Sequence, residues 1–200
     1  MKKLLIWGTG TLGMEALECA LAAEQYSRID FLEPKQKEPR RIPVYMSVYQ
    51  ESDVNQFEFL CAYDEVIAAS SDHKLRNQMN RILRLHCIPR ALLIHPTAVI
   101  SPFAHIDKGC ILLANTVIGA QVKIQEGSVV YPNVVLKHGC CLEKGVSIKD
   151  GSMLGLSVRI QKNAEIEAGC ILNDQVVIAA ETIVTAGSII EKDCLGLRKG

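Results

Sequence analysis

A glycine-rich segment near the start of the chain has the residue types that bind phosphate. Gly8, Gly10 and Gly13 follow a short apolar run, and Glu33 stands twenty residues after Gly13. Glycines let a phosphate approach backbone N–H groups at a helix N-terminus, and an acid at this distance binds ribose in dinucleotide sites. The spacing leaves three alternatives open: a nucleotide-linked sugar, a dinucleotide, or a tight turn with a structural role only.

The five histidines are the candidates for a base that works near neutral pH. His73 and His86 fall at the two ends of a predicted helix, and both are predicted to be solvated. His95 is predicted to be structural, and His105 occupies an outward strand position. His138 lies two residues after an inward aliphatic residue, which places it near a corner that faces outward. Among the five, it is therefore the histidine that an outward corner in the middle of the chain's second half would expose.

The cysteines and histidines do not have the spacing of a metal centre. The eight cysteines include no Cys-x-x-Cys pair, and His105 and His138 are thirty-three residues apart. Since that separation is not a multiple of eighteen, these histidines do not stack on one face of the repeat described below. We predict no metal site and reduced thiols that pack as small apolar residues. Cys141 is predicted to point outward beside His138.

Composition narrows the class of protein. Lysine plus arginine number 22 and aspartate plus glutamate number 22, so no basic surface for nucleic acid is expected. The N-terminal apolar run ends at Gly8, which is too short for a secretion signal, and no stretch approaches the length of a membrane span. The sequence predicts a soluble cytoplasmic protein.

Residues 1–93 alternate strand-like and helix-like segments. The predicted strands are Leu4–Trp7, Ile29–Leu32 and Val66–Ala69, and the predicted helices are Met14–Ala23 and His73–Leu85, the latter capped by Ser70-Ser71-Asp72. This order predicts a small, Rossmann-like parallel sheet with right-handed crossovers. Residues 34–63 are predicted to be irregular, with one short strand around Ile42–Tyr45.

From residue 94 onward, every sixth position is aliphatic. The seventeen residues are Ile94, Ile100, Ile106, Leu112, Ile118, Ile124, Val130, Leu136, Leu142, Ile148, Leu154, Ile160, Ile166, Leu172, Ile178, Val184 and Ile190. Four places after each of them stands a small or β-branched residue, and Cys110, Cys140, Cys170 and Cys194 occupy this small slot. Such a hexad repeat predicts a three-sided solenoid in which aliphatic side chains fill the interior.

We therefore predict two domains. Residues 1–93 form a small Rossmann-like domain that contains the glycine-rich turn, and residues 94–200 form an all-β left-handed parallel β-helix. Three hexads make one coil, so the repeat builds between five and six coils, a prism roughly 27 Å tall at about 4.8 Å per coil.

The chain resembles the sugar O-acyltransferase family, which includes sialic acid O-acetyltransferases and bacillosamine-pathway N-acetyltransferases. The resemblance covers nearly all of the chain and is most specific at the junction Leu93–Ser101. It implies an acetyl-CoA-dependent enzyme that acetylates a free or nucleotide-linked sugar in surface-glycan biosynthesis. It also implies a homotrimer whose small domain holds the sugar nucleotide and whose prisms hold acetyl-CoA between them.

The resemblance also assigns residues to sites. His138 matches the catalytic histidine. The positions that match acceptor contacts are Gly10, Thr11, Leu12, Glu33, Pro34, Ser70 and Lys74. The positions that match acetyl-CoA contacts are Ser147, Leu156, Ala168 and Ala186.

Two departures from the family pattern keep a second hypothesis open. The family usually has an acid directly after the catalytic histidine, whereas this chain has Gly139. The position of a second histidine, which contacts the cofactor, is Ser147. The alternative to an enzyme is a catalytically silent trimeric scaffold, or a sugar-nucleotide-binding protein, on the same fold.

Overall fold

The computed structural model describes residues 2–33, 47–51 and 56–194. The chain divides into two compact units, Met1–Leu93 and Ile94–Gly200. The predicted fold class, a small α/β region followed by a left-handed parallel β-helix, is confirmed. No helix in the described ranges combines the length and the apolar character that crossing a membrane demands.

The first unit is built on a four-stranded parallel sheet. Its strands and helices are β1 (Lys2–Trp7), α1 (Thr11–Ala22), β2 (Tyr26–Glu33), β3 (Val48–Gln50), α2 (Gln56–Cys61), β4 (Glu65–Ala68) and α3 (His73–Leu85). The strand order is β3-β2-β1-β4, so β1 is central. Residues 4–7 of β1 are buried in succession, as expected of a parallel strand with both of its faces covered.

Several expected boundaries shift, and one prediction for this unit is wrong. Helix α1 begins at Thr11, three residues before the predicted start, because Gly10 is its N-cap. Residues 34–63 were predicted to be irregular, yet β3 and α2 lie among them and pack their aromatic residues against the core. The strand expected around Ile42–Tyr45 and the acceptor residue Pro34 lie outside the described residues.

The second unit is a stack of two-residue strands. They are β5 (Leu93–Ile94), β6 (Val99–Ile100), β7 (His105–Ile106), β8 (Ile111–Leu112), β9 (Val117–Ile118), β10 (Lys123–Ile124), β11 (Val129–Val130), β12 (Val135–Leu136), β13 (Cys141–Leu142), β14 (Ser147–Ile148), β15 (Met153–Leu154), β16 (Arg159–Ile160), β17 (Glu165–Ile166), β18 (Ile171–Leu172), β19 (Val177–Ile178), β20 (Ile183–Val184) and β21 (Ile189–Ile190).

These strands form three parallel sheets, which are the faces of the prism. The first face contains β5, β8, β11, β14, β17 and β20; the second contains β6, β9, β12, β15, β18 and β21; the third contains β7, β10, β13, β16 and β19. Turns connect the faces at three corners: the first corner joins the first and second faces, the second corner joins the second and third, and the third corner joins the third and first.

Some side chains in the small slot also make hydrogen bonds between coils. Several of its hydroxyl and thiol groups donate hydrogen bonds to carbonyl oxygens fifteen residues further along, as Ser128 Oγ does to Glu143 O (3.0 Å) and Cys140 Sγ does to Gly155 O (3.0 Å). Cys110 and Cys170 make the same contact. Each such bond links one coil to the next, so the serines and cysteines of the slot help to fix the stacking.

Candidate active site

Two of the three glycines in the first unit are required by packing. Gly8 has φ +122°, and a Cβ atom there would lie 2.5 Å from the carbonyl oxygen of Ala69. A Cβ atom at Gly13 would lie 2.1 Å from the carbonyl oxygen of Gly8. Any side chain at these two positions would therefore collide with backbone.

Gly10 differs from the other two glycines. Its φ of −67° is open to any residue, and a Cβ atom there would meet nothing within 4 Å. As the N-cap of α1 it offers no side-chain hydrogen bond, and the first turn of the helix contains no acid. The fold does not itself demand glycine here, and the space that a side chain of residue 10 would occupy, at the N-terminus of α1, is open.

The loop between β4 and α3 lies at the same edge of the sheet. Since β1 and β4 are parallel neighbours, their carboxyl ends meet there, at the point where the chain order of the strands reverses. The carbonyl oxygen of Ser70 accepts a hydrogen bond from Nη1 of Arg76 at 2.7 Å, and Arg76 is fully buried. Asp72 caps α3 by accepting from the N–H groups of Lys74 and Leu75.

Those of the predicted acceptor residues that the structure describes lie toward this edge. Gly10, Thr11 and Leu12 begin α1, with Thr11 exposed and Leu12 buried. Ser70 is half-buried in the neighbouring loop, whereas Lys74 is exposed on the first turn of α3. The structure brings the glycine turn and Ser70 to one edge of the sheet.

A second acid, Glu51, lies near Glu33, and the sequence did not predict this. Glu33 ends β2, is buried, and pairs in register with Gln50 of β3. Glu51 follows directly, and its Oε1 accepts a hydrogen bond from Nε1 of Trp7 at 2.6 Å. Because residues 34–63 were predicted to be irregular, the sequence contained no signal that Glu51 would reach this edge.

In the second unit, His138 is exposed on a turn of the second corner, in the middle of the prism. Its carbonyl oxygen accepts from the N–H of Ser157 at 2.9 Å, which fixes its turn to the coil above. A Cβ atom at Gly119, in the coil below, would lie 2.9 Å from the backbone nitrogen of His138, so glycine is required there. In the part of the chain that the structure describes, no hydrogen bond reaches the His138 ring.

Gly139 has a conformational explanation. Its φ is +74°. The equivalent residue of the corner turns from Gly109 onward adopts this left-handed region, and examples in other turns are Asn115, Asn133 and Gly151. Glycine or asparagine is favoured in this region. Glu181 has φ +60° at an equivalent turn position, so an acid fits such a turn at a modest energetic cost.

The predicted acetyl-CoA residues separate into two groups. Leu156 is exposed on the second corner, one coil above His138, and its N–H donates to Oδ1 of Asp174 at 2.7 Å. Ala168 and Ala186 are exposed on the first corner, and Ser147 is buried in β14 of the first face. Within one chain, therefore, only Leu156 shares a corner with His138.

The second face lies between these two corners and is apolar on its outside. Its outward side chains form one continuous column, because each pairs in register with the next. They are Val99, Val117, Val135, Met153, Ile171 and Ile189, and all but Val135 are exposed large hydrophobic residues. A contiguous exposed apolar strip of this kind is typical of an interaction surface.

The slot cysteines are unsuited to covalent catalysis. Cys110, Cys140 and Cys170 are fully buried, and Cys194, near the end of the described residues, is half-buried. Burial raises the pKa of the Cys140 thiol to about 11, which keeps it protonated and unreactive near neutral pH. Cys141, in β13 of the third face, is half-buried.

Three of the other histidines, His86, His95 and His105, have side-chain contacts of their own. Nδ1 of His95 lies 2.8 Å from Oγ1 of Thr97, and Nε2 of His105 lies 3.1 Å from Oδ1 of Asp107. The His86 ring lies against that of Phe57, with 5.2 Å between ring centroids and the two planes tilted by 51°. Over residues 2–33, 47–51 and 56–194, no three His, Cys, Asp or Glu side chains converge as a metal site would require.

Comparison with known proteins identifies the repeat and the architecture. Residues 92–195 match the family model described as the GMPPB C-terminal domain. No curated protein matches the sequence. Several solved structures match over nearly the whole chain, and three of them follow.

The first is a histidine-to-alanine mutant of GDP-perosamine N-acetyltransferase from Caulobacter crescentus, in complex with CoA and GDP-perosamine. It is 23% identical, with 96% of this chain and 89% of that chain covered and a TM-score of 0.87. The acetyltransferase domain of PglB from Neisseria gonorrhoeae is 22% identical, with 94% and 96% covered and a TM-score of 0.66. WeeI from Acinetobacter baumannii is 13% identical, with 94% and 96% covered and a TM-score of 0.53. The resemblance to hexapeptide-repeat sugar acyltransferases is thereby confirmed at the level of the fold.

Proposed function

The chain belongs to the GMPPB C-terminal domain family, and from its sites we propose that it is a cytoplasmic acetyltransferase that acetylates a nucleotide-linked sugar with acetyl-CoA. The observation that carries the proposal is the placement of His138. It is an exposed histidine at a corner in the middle of the prism, and it borders an apolar face that a second copy could cover.

The proposed chemistry is a direct transfer. The acceptor amine or hydroxyl attacks the carbonyl carbon of the thioester, and His138 takes the proton that the acceptor loses. The carbonyl electron pair moves onto oxygen, returns, and expels the CoA thiolate. That thiolate then receives the proton from His138, so the products are the acetylated sugar and CoA with a free thiol. No acyl-cysteine intermediate is required, since the slot thiols are buried.

The first unit is proposed to hold the acceptor. The N-terminus of α1, at a glycine that the fold does not need, suits the diphosphate of a nucleotide sugar. Glu33 and the neighbouring Glu51 lie at the carboxyl ends of β2 and β3, where a ribose or base donor would be recognised. A structure with this fold holds GDP-perosamine and CoA together, which supports the choice of ligands.

The enzyme is proposed to act as a homotrimer. If the apolar second face packs against a neighbouring prism, the corners that border that face would come together between copies. The second corner, with His138 and Leu156, would then face the first corner of the next copy, with Ala168 and Ala186. This arrangement would bring together Leu156, Ala168 and Ala186, three of the four predicted acetyl-CoA residues, which a single chain keeps at two corners.

A silent scaffold on the same fold is the second candidate function. The observation that favours it is the His138 ring, to which no carboxylate is hydrogen-bonded within the described residues, next to Gly139. An enzyme of this kind gains from an acid that orients its histidine. A scaffold would bind the sugar nucleotide without consuming acetyl-CoA.

An assay of CoA thiol release separates the two functions. Purified protein is incubated with acetyl-CoA and a panel of GDP- and UDP-linked sugars, with paired amino and hydroxyl forms of each sugar. We expect acceptor-dependent release that His138→Ala abolishes, whereas His105→Ala, an exposed histidine on the third face, leaves the rate unchanged. Binding of a sugar nucleotide without any acceptor-dependent release would support the scaffold instead.

A further inference from the structure

We propose that Asp174 occupies the backbone N–H that would stabilise the transition state beside His138, and thereby limits the rate of acetyl transfer. The contact is short and direct, since Oδ1 of Asp174 lies 2.7 Å from the backbone nitrogen of Leu156. This inference rests on the proposed function and adds one residue that controls the rate of that reaction.

The position of the N–H follows from the stacking of coils. The turns that contain Ala120, His138, Leu156 and Asp174 lie on top of one another at the second corner, because the flanking strands pair in register. The Leu156 N–H therefore lies one coil above His138, about 4.8 Å along the prism. It is on the exposed corner where a thioester within reach of His138 would lie.

Glycine at position 155 is what permits the contact. A Cβ atom there would lie 2.4 Å from Oδ1 of Asp174 and 2.7 Å from the backbone nitrogen of Asp174. Gly155 does not have a positive φ, so its conformation alone does not explain the glycine. The carboxylate thus rests in a space that any side chain at position 155 would fill.

The chemistry gives the contact its consequence. When the acceptor attacks the thioester, the carbonyl oxygen becomes an oxyanion, and an N–H donor 2.7–3.1 Å from it stabilises the charge. A carboxylate on the Leu156 N–H removes that donor and places a negative charge beside the one that develops. Asp174 is exposed, so its side chain has room to swing away. Transfer must therefore wait for Asp174 to leave the N–H.

The test compares kcat for the full chain with that of Asp174→Ala and Asp174→Asn. Asp174→Ala frees the N–H, and we expect kcat to rise at least tenfold while the KM for acetyl-CoA changes by less than about threefold. Asp174→Asn loses the charge but keeps an amide oxygen that can accept from the N–H, so a smaller rise is expected. A variant that merely damages the fold would lower kcat rather than raise it.

Glu143→Ala is the matched control. Oε2 of Glu143 accepts from the backbone N–H of Lys162 at 3.1 Å, which is the same type of contact at the third corner, away from His138. This variant should leave kcat unchanged. An equal rise for Glu143→Ala would mean that loosening any corner raises the rate, and it would overturn the role of Asp174.

Calorimetry with acetyl-CoA distinguishes failure of this inference from failure of the proposed function. If wild type and both Asp174 variants bind acetyl-CoA but neither variant has a higher kcat, the inference is wrong and the proposed function stands or falls on the wild-type rate. If acetyl-CoA binds to none of them, the proposed function is wrong, and the inference with it. If Asp174→Ala does not fold, as thermal unfolding would reveal, the absence of any rise in Asp174→Asn overturns the inference.

Discussion

Replacement of Gly10 by serine should have opposite effects on folding stability and on acceptor binding. A Cβ atom at Gly10 would meet nothing within 4 Å, and its φ of −67° is accessible to serine. Removing a glycine lowers the entropy of the unfolded chain by an equivalent of about 0.4–1 kcal/mol, and a serine N-cap contributes a few tenths of a kcal/mol more. Gly10→Ser should therefore raise the free energy of unfolding by about 0.5–1.5 kcal/mol.

The same change should weaken binding of the acceptor. The serine hydroxyl would accept from the N–H of Leu12 or Gly13, which are the groups that a phosphate would use. A hydrogen bond to a charged group contributes about 1.5–3 kcal/mol. Its loss corresponds to an affinity about ten- to a hundredfold weaker, at 1.4 kcal/mol per factor of ten.

Urea unfolding and calorimetric titration with a GDP- or UDP-linked sugar measure the two effects separately. The steric counterpart is Gly13→Ala, whose Cβ atom would lie 2.1 Å from a backbone oxygen and should cost about 3 kcal/mol or more of folding stability. Acetyl-CoA affinity should be the same for Gly10→Ser and wild type. If Gly10→Ser binds the sugar nucleotide as tightly as wild type, phosphate does not approach this turn and the reasoning is refuted.

Three further predictions concern the core, the thiols and the second face. Burial and the hydrogen bond from Tyr63 to Asp30 raise the pKa of the phenol, so its contribution to stability is present below about pH 10, the unfolded value, and is lost as pH rises further. In urea unfolding from pH 9 to 11, the free energy of unfolding of wild type should therefore approach that of Tyr63→Phe. A constant difference between the two would contradict this. A thiol reagent at neutral pH should label the exposed Cys61 and Cys87 quickly, and the buried thiols only after unfolding, as mass spectrometry can record. The buried thiols are those of Cys19, Cys110, Cys140 and Cys170. Met153→Glu puts a charge in the middle of the apolar column and should convert a trimer to monomers in sedimentation velocity, whereas a trimer that persists would place the interface elsewhere.

The repeat was the most predictable part of the molecule. Aliphatic residues at every sixth position have one physical explanation, a stack of coils that share an interior, so the β-helix follows from the sequence with little ambiguity. Helix α3 was equally clear, because Asp72 has the residue type and the position of an N-cap, and it accepts from two N–H groups.

What the sequence could not predict depends on contacts between distant residues. Strand β3 exists because it pairs with β2, and its three residues alternate too briefly to be read as a strand. The approach of Glu51 to Trp7 depends on that pairing, since the two residues are forty-four positions apart. The contact of Asp174 with the Leu156 N–H, eighteen positions away, appears only once the coils are stacked in register.

Gly139 has to be interpreted from the sequence and the structure together. The sequence presents it as a departure from the family pattern, in which an acid follows the histidine. In the structure it has the left-handed φ of +74°, which favours glycine but, as Glu181 shows, does not exclude an acid. The residue next to His138 is thus set by the backbone as well as by chemistry.

The proposed role of His138 is tested most directly by single-turnover measurement of acetyl transfer with His138→Ala, acetyl-CoA and a sugar nucleotide that wild type acetylates. General-base catalysis by histidine contributes about 10²- to 10⁴-fold to a rate. We expect the rate constant for transfer to fall by that factor, while calorimetry finds the affinities for acetyl-CoA and the sugar nucleotide within about twofold of wild type. A His138→Ala protein that transfers the acetyl group at the wild-type rate would contradict the central claim.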